Sequence, residues 1–315
     1  MMQLTYLTFT APRRDDDAFA SYKNRSKAEL QNMDLDPSSS FSDSITSTLY
    51  SKHPRTLRIK ADMVDKMNYD KILSMYQDRF KDASDFTFIL VGNVDVEAVK
   101  PLIESYLGSL PSINRKETFK DNHIAMRKGI CKNEFIRQQE TPKVNNFICY
   151  SGTCKYNLRN EILMSMTDQL LNFIYTEKVR EDEGGTYGVY PMGQLIKYPT
   201  EKAVLQIFFN TAPDKQEKLI KIIYDEAEAF AKNGPDEASL NKVKEYMLKK
   251  HSEDLKENGY WLNSIDEYLY TGIDPVKDYE QIINSITPKD VQQFANELLK
   301  QKNQITVSMI SPEKK

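Results

Sequence analysis

Residues 287–311, TPKDVQQFANELLKQKNQITVSMIS, combine a helix start, an amphipathic helix and an apolar strand. Thr287 and Pro288 form the start signal, because proline is favoured at the first position of a helix. A counterpart occurs earlier in the chain, where the helical pattern NYDKILSMYQDRF at 68–80 is followed by the apolar run FTFILVGN at 86–93. The same helix–strand pair therefore occurs twice.

Two further helical patterns precede each pair, at residues 15–33 and 38–56 in the first copy and at 235–259 and 260–274 in the second. The spacing within the copies also agrees. Phe19 lies 72 residues before Val91, and Leu240 lies 69 residues before Met309. The matching order and spacing indicate an internal repeat, in which one structural unit occurs twice.

The second copy is preceded by further elements that complete a domain. In chain order they are a strand at 142–154, a long amphipathic helix at 158–181, strands at 184–196 and 201–212, and a helix at 214–234. A run at 129–140 is predicted as a first strand or the approach to one. We therefore predict an α+β fold with two repeated domains, each a largely antiparallel sheet with helices packed on it.

The first copy lacks these elements. We predict residues 1–135 as an N-terminally truncated first domain with a linker, and residues 136–315 as a complete second domain. Residues 2–10 correspond by the repeat to the helix end near 222–230. Their Thr, Tyr and Phe content favours a strand, but the repeat favours a helix, and we follow the repeat. On this interpretation the chain begins inside a domain and is a fragment of a longer protein.

The composition excludes several classes of partner. The net charge is -3 and lysines are interleaved with acidic residues, a pattern typical of solvated helix faces. We therefore expect no nucleic-acid or anionic-membrane partner, and no apolar run is long enough to span a membrane. Three cysteines, Cys131, Cys149 and Cys154, lack CxxC spacing, which argues against a disulfide framework and a thiolate zinc site.

The stretch VREDEGGTYGVYP at residues 179–191 is the main candidate for chemistry. Arg180 falls in the last turns of the long helix, and Gly184 with Gly185 permits a sharp reversal. Tyr187 then heads a strand that can fold back beside the helix end. Both side chains are hydrogen-bond donors that together could stabilise an oxyanion. From the residues alone a structural role is favoured, in which Arg180 complements the helix dipole and Tyr187 is half-buried.

Together with the repeat, this motif resembles the C-terminal half of the pitrilysin/insulinase family of zinc metallopeptidases. That half of the family is also resembled by two further segments, the strand ILVGNVD at 89–95 and the helix VKPLIESYLGSLP at 99–111. The resemblance covers nearly the whole chain and is nearest to bacterial two-half members. It implies four similar domains in two halves that close around a peptide, with zinc held in the N-terminal half by an inverted HxxEH motif and a distant Glu.

The resemblance also implies roles for individual residues. Arg180 and Tyr187 match the residues that reach across to the substrate and transition state, and Gly184, Gly185 and Thr186 lie between them as substrate-binding residues. The implied partners are peptide substrates and the N-terminal catalytic half of the same protein. Exported bacterial members of the family suggest a periplasmic location, and a cytoplasmic one stays open.

The histidines depart from the complete family pattern. The zinc motif needs two histidines four positions apart on a helix, whereas His53, His123 and His251 have no such neighbour. We interpret each as a surface or ordinary structural histidine. We therefore expect no metal ligands in this chain and Zn²⁺ in the missing N-terminal half. No GxSxG, GxxxxGK[ST] or GxGxxG motif is present either.

These features predict the substrate-clamping half of a zinc-dependent metalloendopeptidase, inactive by itself, with Arg180 and Tyr187 donating hydrogen bonds to the substrate carbonyl or oxyanion. The alternative is a scaffold or assembly subunit of the same fold without peptidase activity. A scaffold has no need of the Arg–Tyr pair, which favours the peptidase. A stand-alone peptide-binding module is a third hypothesis, against which the mid-domain start counts.

Three other segments carry weaker signals. The acidic run at 15–19 is interpreted as an N-cap and first helical turn rather than a cation site. The helix at 260–272 holds the only tryptophan, Trp261, and is interpreted as a core helix rather than an aromatic cradle for a peptide. The strand at 185–195 is either buried in the sheet or an edge that pairs with an extended peptide.

Overall fold

The computed structural model describes residues 1–181, 186 and 188–312, and the side chains of residues 180 and 181 lie outside this description. The chain forms two compact units. The first comprises Met1–Asp36 and Arg58–Asn122, and the second comprises Pro37–Leu57 and His123–Lys315. The domain boundary between residues 135 and 136, which rests on the repeat, stays a prediction.

In chain order the helices are α1 (Met2–Thr10), α2 (Asp16–Leu35), α3 (Pro37–Leu49), α4 (Ala61–Asp65), α5 (Tyr69–Phe80), α6 (Val96–Leu102), α7 (Leu158–Tyr175), α8 (Gln216–Asn233), α9 (Glu237–Asp254), α10 (Asn258–Thr271), α11 (Tyr279–Ser285) and α12 (Pro288–Leu299). The strands are β1 (Ile130–Ile136), β2 (Lys143–Thr153), β3 (Val189–Ile196), β4 (Lys202–Thr211) and β5 (Gln304–Ser311). Irregular π-helical turns extend α6 over Ile103–Leu107 and α7 over Thr176–Glu181. None of the helices in the described residues is long and apolar enough to cross a membrane.

Helix boundaries follow from local capping. The Asp15 side chain accepts the Ala18 N–H at the start of α2, which confirms the predicted N-cap in the acidic run. Thr287 and Asp290 form a reciprocal capping box at the start of α12, so two backbone donors are satisfied at once. Gly234 ends α8 with a φ of 72°, a conformation that glycine adopts without strain.

The second unit is built on one five-stranded sheet with the strand order β1-β5-β2-β4-β3. β1 pairs with β5 in parallel, and the other three pairs are antiparallel. The predicted α+β class with a largely antiparallel sheet is therefore confirmed. β5 is flanked on both sides, and its residues 305–309 are at most 2% exposed. β3 lies at the edge of the sheet.

Side chains along the central strands alternate between the two faces of the sheet, as the twofold period of a strand requires. One face carries Ile148 and Leu205, which belong to a core shared with α7, α8 and α12. The opposite face carries Phe147 and Val204, which pack against α3 through Leu49 and its neighbours. The second unit therefore has helices on both faces of its sheet.

The first unit is helical throughout its described secondary structure. α1 forms over residues 2–10, as the repeat predicted and against the strand propensity of the segment. Phe9 of α1 is buried between Phe80 and Phe86, with ring centroids 4.9 and 4.8 Å away. The strand predicted at 86–93 is wrong, because these residues are not in a strand. A strand needs a neighbouring strand for its backbone groups, and the described residues of this unit supply none.

Helix α10 is not the core helix that the sequence predicted. Trp261, Tyr268 and Tyr270 are 38%, 53% and 64% exposed, while Ser264 and Thr271 are the residues of this helix that are buried. The main core of the second unit is formed by the sheet with α7, α8, α9, α11 and α12. α10 lies outside that layer, so its aromatic side chains reach the surface.

Candidate functional site

The predicted site lies where α7 ends and β3 begins. Gly184, Gly185 and Tyr187 lie outside the described residues, as does the side chain of Arg180. Thr186 is described, and its Oγ1 accepts the Gly188 N–H at 3.2 Å and donates to the Gly188 carbonyl at 3.0 Å. The roles assigned to these five residues therefore stay predictions, and the described geometry is that of the elements on either side.

The helix end before the predicted site is fixed in the core. α7 ends at Tyr175, and the π-helical turns then continue through residue 181. Tyr175 and Val179 are fully buried, and the Tyr175 hydroxyl donates to the Ile223 carbonyl at 3.3 Å. These turns contact β3. π-Helical turns are frequent at functional sites, and here they carry the backbone of residue 180.

Strand β3 is held closely against α7 at Gly193. A Cβ atom on Gly193 would lie 2.4 Å from the Met164 Sδ and 3.2 Å from the Met164 carbonyl oxygen. Only glycine permits this approach of strand to helix. The Gly193 N–H donates to Asp168 Oδ2 on α7 at 3.0 Å, so helix and strand are also joined by a polar contact.

Asp168 is a site residue that the sequence reasoning missed. Burial raises the pKa of its carboxyl group to about 6, and the N–H groups of Gly193 and Gln169 oppose this rise. A carboxyl group with such a pKa is costly to keep ionised at neutral pH. The available signal was a single acidic residue in a largely apolar helix, about one turn from Met164 and Leu171, both of which are buried.

The outer edge of β3 is only partly open for strand pairing. The N–H groups of alternate residues in a strand point to the same side, and that of Gly193 points away from β4 to reach Asp168. Pro191, two residues earlier, has no N–H at all. Proline on an edge strand and a side chain bound to the edge both limit pairing with another strand. An extended peptide would therefore find two of the successive donor positions unavailable.

A cavity of about 510 Å³ lies beside β3, between this edge and the outer side of α7. It is lined by Asp168, Gln169, Asn172, Phe173, Tyr190, Pro191, Met192 and Tyr246. Phe173, Tyr190, Met192 and Tyr246 are all about half exposed. The surface next to the predicted Arg–Tyr site is therefore apolar and aromatic with a few polar groups, as is typical of ligand-binding clefts.

A second cavity, of about 480 Å³, lies between α7, α9 and α10. The carboxyl groups of Glu161 and Glu267 share a hydrogen bond at its wall, and the Tyr156 hydroxyl donates to Glu267 Oε1 at 2.9 Å. Burial, with Glu267 beside it, raises the pKa of Glu161 to about 7. This contact joins α7 to α10, and the raised pKa favours the protonated form of Glu161 there.

The histidines have structural surroundings. His251 is buried, stacks on Tyr279 with ring centroids 4.3 Å apart, and its Nδ1 lies 3.1 Å from the Tyr260 hydroxyl. His53 Nδ1 accepts the Arg55 N–H at 3.3 Å. Over residues 1–181, 186 and 188–312, no group of three His, Cys, Asp or Glu side chains is placed to hold a metal ion.

Residues 66–247 match the protein family described as the peptidase M16 inactive domain. This region covers more than half of the chain, and it contains α7, β3 and the predicted site between them. The match therefore includes Arg180, Gly184, Gly185, Thr186 and Tyr187, the residues of the predicted site.

Two relatives match over most of the chain. It is 21% identical over 307 residues to the probable zinc protease PqqL of Escherichia coli K12, covering 94% of this chain and 32% of that protein. It is 23% identical over 289 residues to a zinc protease PQQL-like protein of Arabidopsis thaliana, covering 84% of this chain and 29% of that protein. The chain thus spans about a third of the length of these curated relatives.

The fold is also similar to a solved structure. The crystal structure of the periplasmic protease PqqL from Escherichia coli aligns with a TM-score of 0.83 at 18% identity, covering 99% of this chain and 34% of that chain. At this identity the likeness is one of fold. It extends over nearly the whole chain.

Proposed function

The chain belongs to the peptidase M16 family through its inactive domain, and we propose that it is the substrate-clamping half of a zinc-dependent metalloendopeptidase. The family assignment agrees with the resemblance to zinc metallopeptidases drawn from the sequence. The observation that carries the proposal is the match over residues 66–247, which includes the end of α7, residues 180–187 and β3. The names of the two relatives, both zinc proteases, support the reaction class.

Zinc belongs, on this proposal, to an N-terminal half outside this chain. The described residues do not provide a ligand set, and none of the three histidines has another histidine four positions away in the sequence. Bound zinc would activate water and polarise the scissile carbonyl group. This chain alone is then expected to lack peptidase activity.

The contribution of this chain is to enclose the peptide and to donate hydrogen bonds. Arg180 and Tyr187 would donate to the substrate carbonyl and to the oxyanion that develops from it. Donors stabilise a transition state best when their positions are fixed beforehand. The buried Tyr175 before them and the Gly193 contact after them hold the flanking helix and strand, which supports this role.

The substrate class follows from the proposed enclosure. Two halves that close around a substrate exclude water and admit chains of limited size, so we propose unfolded or short peptides as substrates. The aromatic cavity beside β3 offers apolar contacts for their side chains. We also propose a periplasmic location, on the ground that the aligned Escherichia coli structure is described as a periplasmic protease.

The test is substitution in the full-length protein. Arg180→Ala and Tyr187→Phe should each lower kcat on a peptide substrate by about 100- to 1,000-fold, the loss typical of one oxyanion donor. Lys178→Ala and Tyr198→Phe are matched controls, because Lys178 is half-buried in the turns just before residue 180 and Tyr198 is exposed just after β3. The controls should retain normal kcat.

Normal turnover in both Arg180→Ala and Tyr187→Phe would contradict the proposed donors. A full-length protein that binds no zinc and cleaves no peptide would favour the scaffold subunit instead. Circular dichroism of each variant shows whether activity is lost because the hydrogen-bond donor is missing or because the protein no longer folds. Zinc content and peptide cleavage by the 315-residue chain alone provide the complementary measurement, and both are expected to be absent.

A further inference from the structure

The sheet of the second unit has two edges, and they differ in how open they are to another strand. On β3, Pro191 has no N–H and the N–H of Gly193 is bound to Asp168. β1 forms the other edge and contains no proline. In the described part of the chain, β1 pairs with no strand other than β5. β1 is therefore the edge at which a further strand can be added.

The backbone groups that β1 leaves unpaired follow from its ladder with β5. Alternate residues of a strand direct their N–H and carbonyl groups to the same side. The Gly129 carbonyl group and the Arg137 N–H group both bond to residues of β5, so every second position between them faces β5 as well. The other positions of β1 direct their N–H and carbonyl groups away from the sheet. They are Ile130, Lys132, Glu134 and Ile136.

The side chains at these four outward positions share one face of the strand and reach solvent. Ile130 and Ile136 are 75% and 72% exposed. Lys132 Nζ lies 3.0 Å from Glu134 Oε1, and Gln216 of α8 donates to the same carboxylate oxygen at 3.4 Å. The open edge thus presents, in chain order, an apolar residue, a cation, an anion and an apolar residue.

The opposite face of β1 holds the strand in place before any partner adds to it. Asn133 Nδ2 donates to Ser44 Oγ at 3.0 Å and to Thr48 Oγ1 at 2.8 Å, both on α3. Cys131 and Phe135 pack against the core that α3 covers. A strand that is ordered in advance loses less conformational entropy when another strand pairs with it.

The outward residues are self-complementary when two copies of β1 run antiparallel with Asn133 opposite Asn133. Lys132 of each copy then lies opposite Glu134 of the other, and Ile130 lies opposite Ile136. The outward backbone groups also pair, because even-numbered positions oppose even-numbered ones. The two nearest registers that keep this backbone pairing place Lys132 opposite Lys132 or Glu134 opposite Glu134, which is destabilising in a sheet. The charges therefore select one register.

We propose that β1 is the contact strand of a homodimer, in which two copies of this chain join their sheets across a twofold axis at Asn133. Such a contact uses the same surface on both copies and is closed by its symmetry. The remaining edge of each sheet is β3, where proline and the bond to Asp168 limit further addition. The assembly is therefore a dimer, and it does not depend on peptidase activity.

The test is charge reversal in the 315-residue chain, followed by sedimentation equilibrium over a range of concentrations. The unmodified chain should form dimers. Lys132→Glu and Glu134→Lys each create two like-charged pairs across the axis, so each should raise the dimer dissociation constant by at least about 10-fold. The double variant exchanges the two charges and should dimerise like the unmodified chain. Lys289→Glu is the matched control, because this lysine is exposed on α12, and it should dimerise normally.

Mixing the two single variants gives an independent measurement. One variant carries two acidic side chains at positions 132 and 134, and the other carries two lysines. Every pair across the axis is then again one of opposite charge. The mixture should form a heterodimer, although each variant alone associates weakly. A folding defect in either variant would not produce this result.

Three results would overturn the inference. The first is an unmodified chain that stays monomeric at every concentration, which would leave this edge to another occupant such as an extended peptide. The second is Lys132→Glu dimerising as tightly as Lys289→Glu. The third is that neither the double variant nor the mixture restores association, because the dimer contact would then lie outside β1.

Discussion

Replacing Asp168 with asparagine should change how the stability of the second unit depends on pH. In the folded protein burial raises the pKa of this carboxyl group from 3.8 to about 6. Between these two pH values the folded state binds more protons than the unfolded state. The free energy of unfolding therefore falls as pH rises from about 4 to 6, and it stays lowered above that range.

The magnitude follows from the same pKa change. Raising a carboxyl pKa from 3.8 to about 6 corresponds to roughly 3 kcal/mol at pH 7. This is an upper value, because the side chain lies at the wall of a cavity where solvent reduces the cost of its charge. Asparagine retains an oxygen that can accept the Gly193 N–H, and it has no charge to bury. The variant should match the wild type near pH 4 and exceed it by about 1–3 kcal/mol at pH 7.

The assay is urea unfolding at a series of pH values from 4 to 8. Trp261 is the only tryptophan and belongs to α10 of the second unit, so its fluorescence follows the relevant part of the chain. Asp266→Asn is the matched control, because this aspartate is exposed on α10. Its difference from the wild type should not vary with pH.

Two results would refute this reasoning. If Asp168→Asn differs from the wild type by the same amount at pH 4 and pH 7, the carboxyl group is not destabilised by burial. If the wild type is the more stable form at pH 7, the charged hydrogen bond to Gly193 outweighs desolvation. In either case the tight contact between α7 and β3 would need another explanation.

Two further predictions concern packing in the second unit. Gly193→Ala should lower the free energy of unfolding by about 1–3 kcal/mol, because its Cβ would collide with Met164. Gly259→Ala, which meets nothing within 4 Å, should not destabilise, and equal losses in urea unfolding would contradict the argument. His251→Ala should cost about 2–4 kcal/mol through lost packing on Tyr279. The zinc content of the full-length protein should be unchanged, and a fall in zinc content by metal analysis would assign His251 to a metal site.

Elements bounded by local signals could be predicted from the sequence. The strand predicted at the end of the repeat matches Gln304–Ser311, and the Thr287–Pro288 start signal became the capping box of α12. Caps and amphipathic periodicity depend on residues close together in the chain. The helix at residues 2–10 needed the repeat as well, since its local propensity favours a strand.

Features that depend on distant partners could not be predicted in this way. Asp168 is an ordinary helical aspartate until β3 packs over it and buries its carboxyl group. Trp261 lies in an apolar helix, yet other helices already occupy the core. Strands are predicted by similar patterns at 184–196 and 86–93. Within the first, Val189–Ile196 forms an edge strand, whereas residues 86–93 pair with no strand in the described part of the chain.

The sequence by itself determined the order and kind of most elements and the family, and it predicted an internal repeat. It also gave the positions 180 and 187 at which a hydrogen-bonding pair is proposed. Only the tertiary structure decided which strand lies at the edge, which acid is buried and which strand sequence remains unpaired. The physical reason is that helices complete their backbone hydrogen bonds internally, whereas strands and buried charges acquire their partners from remote parts of the chain.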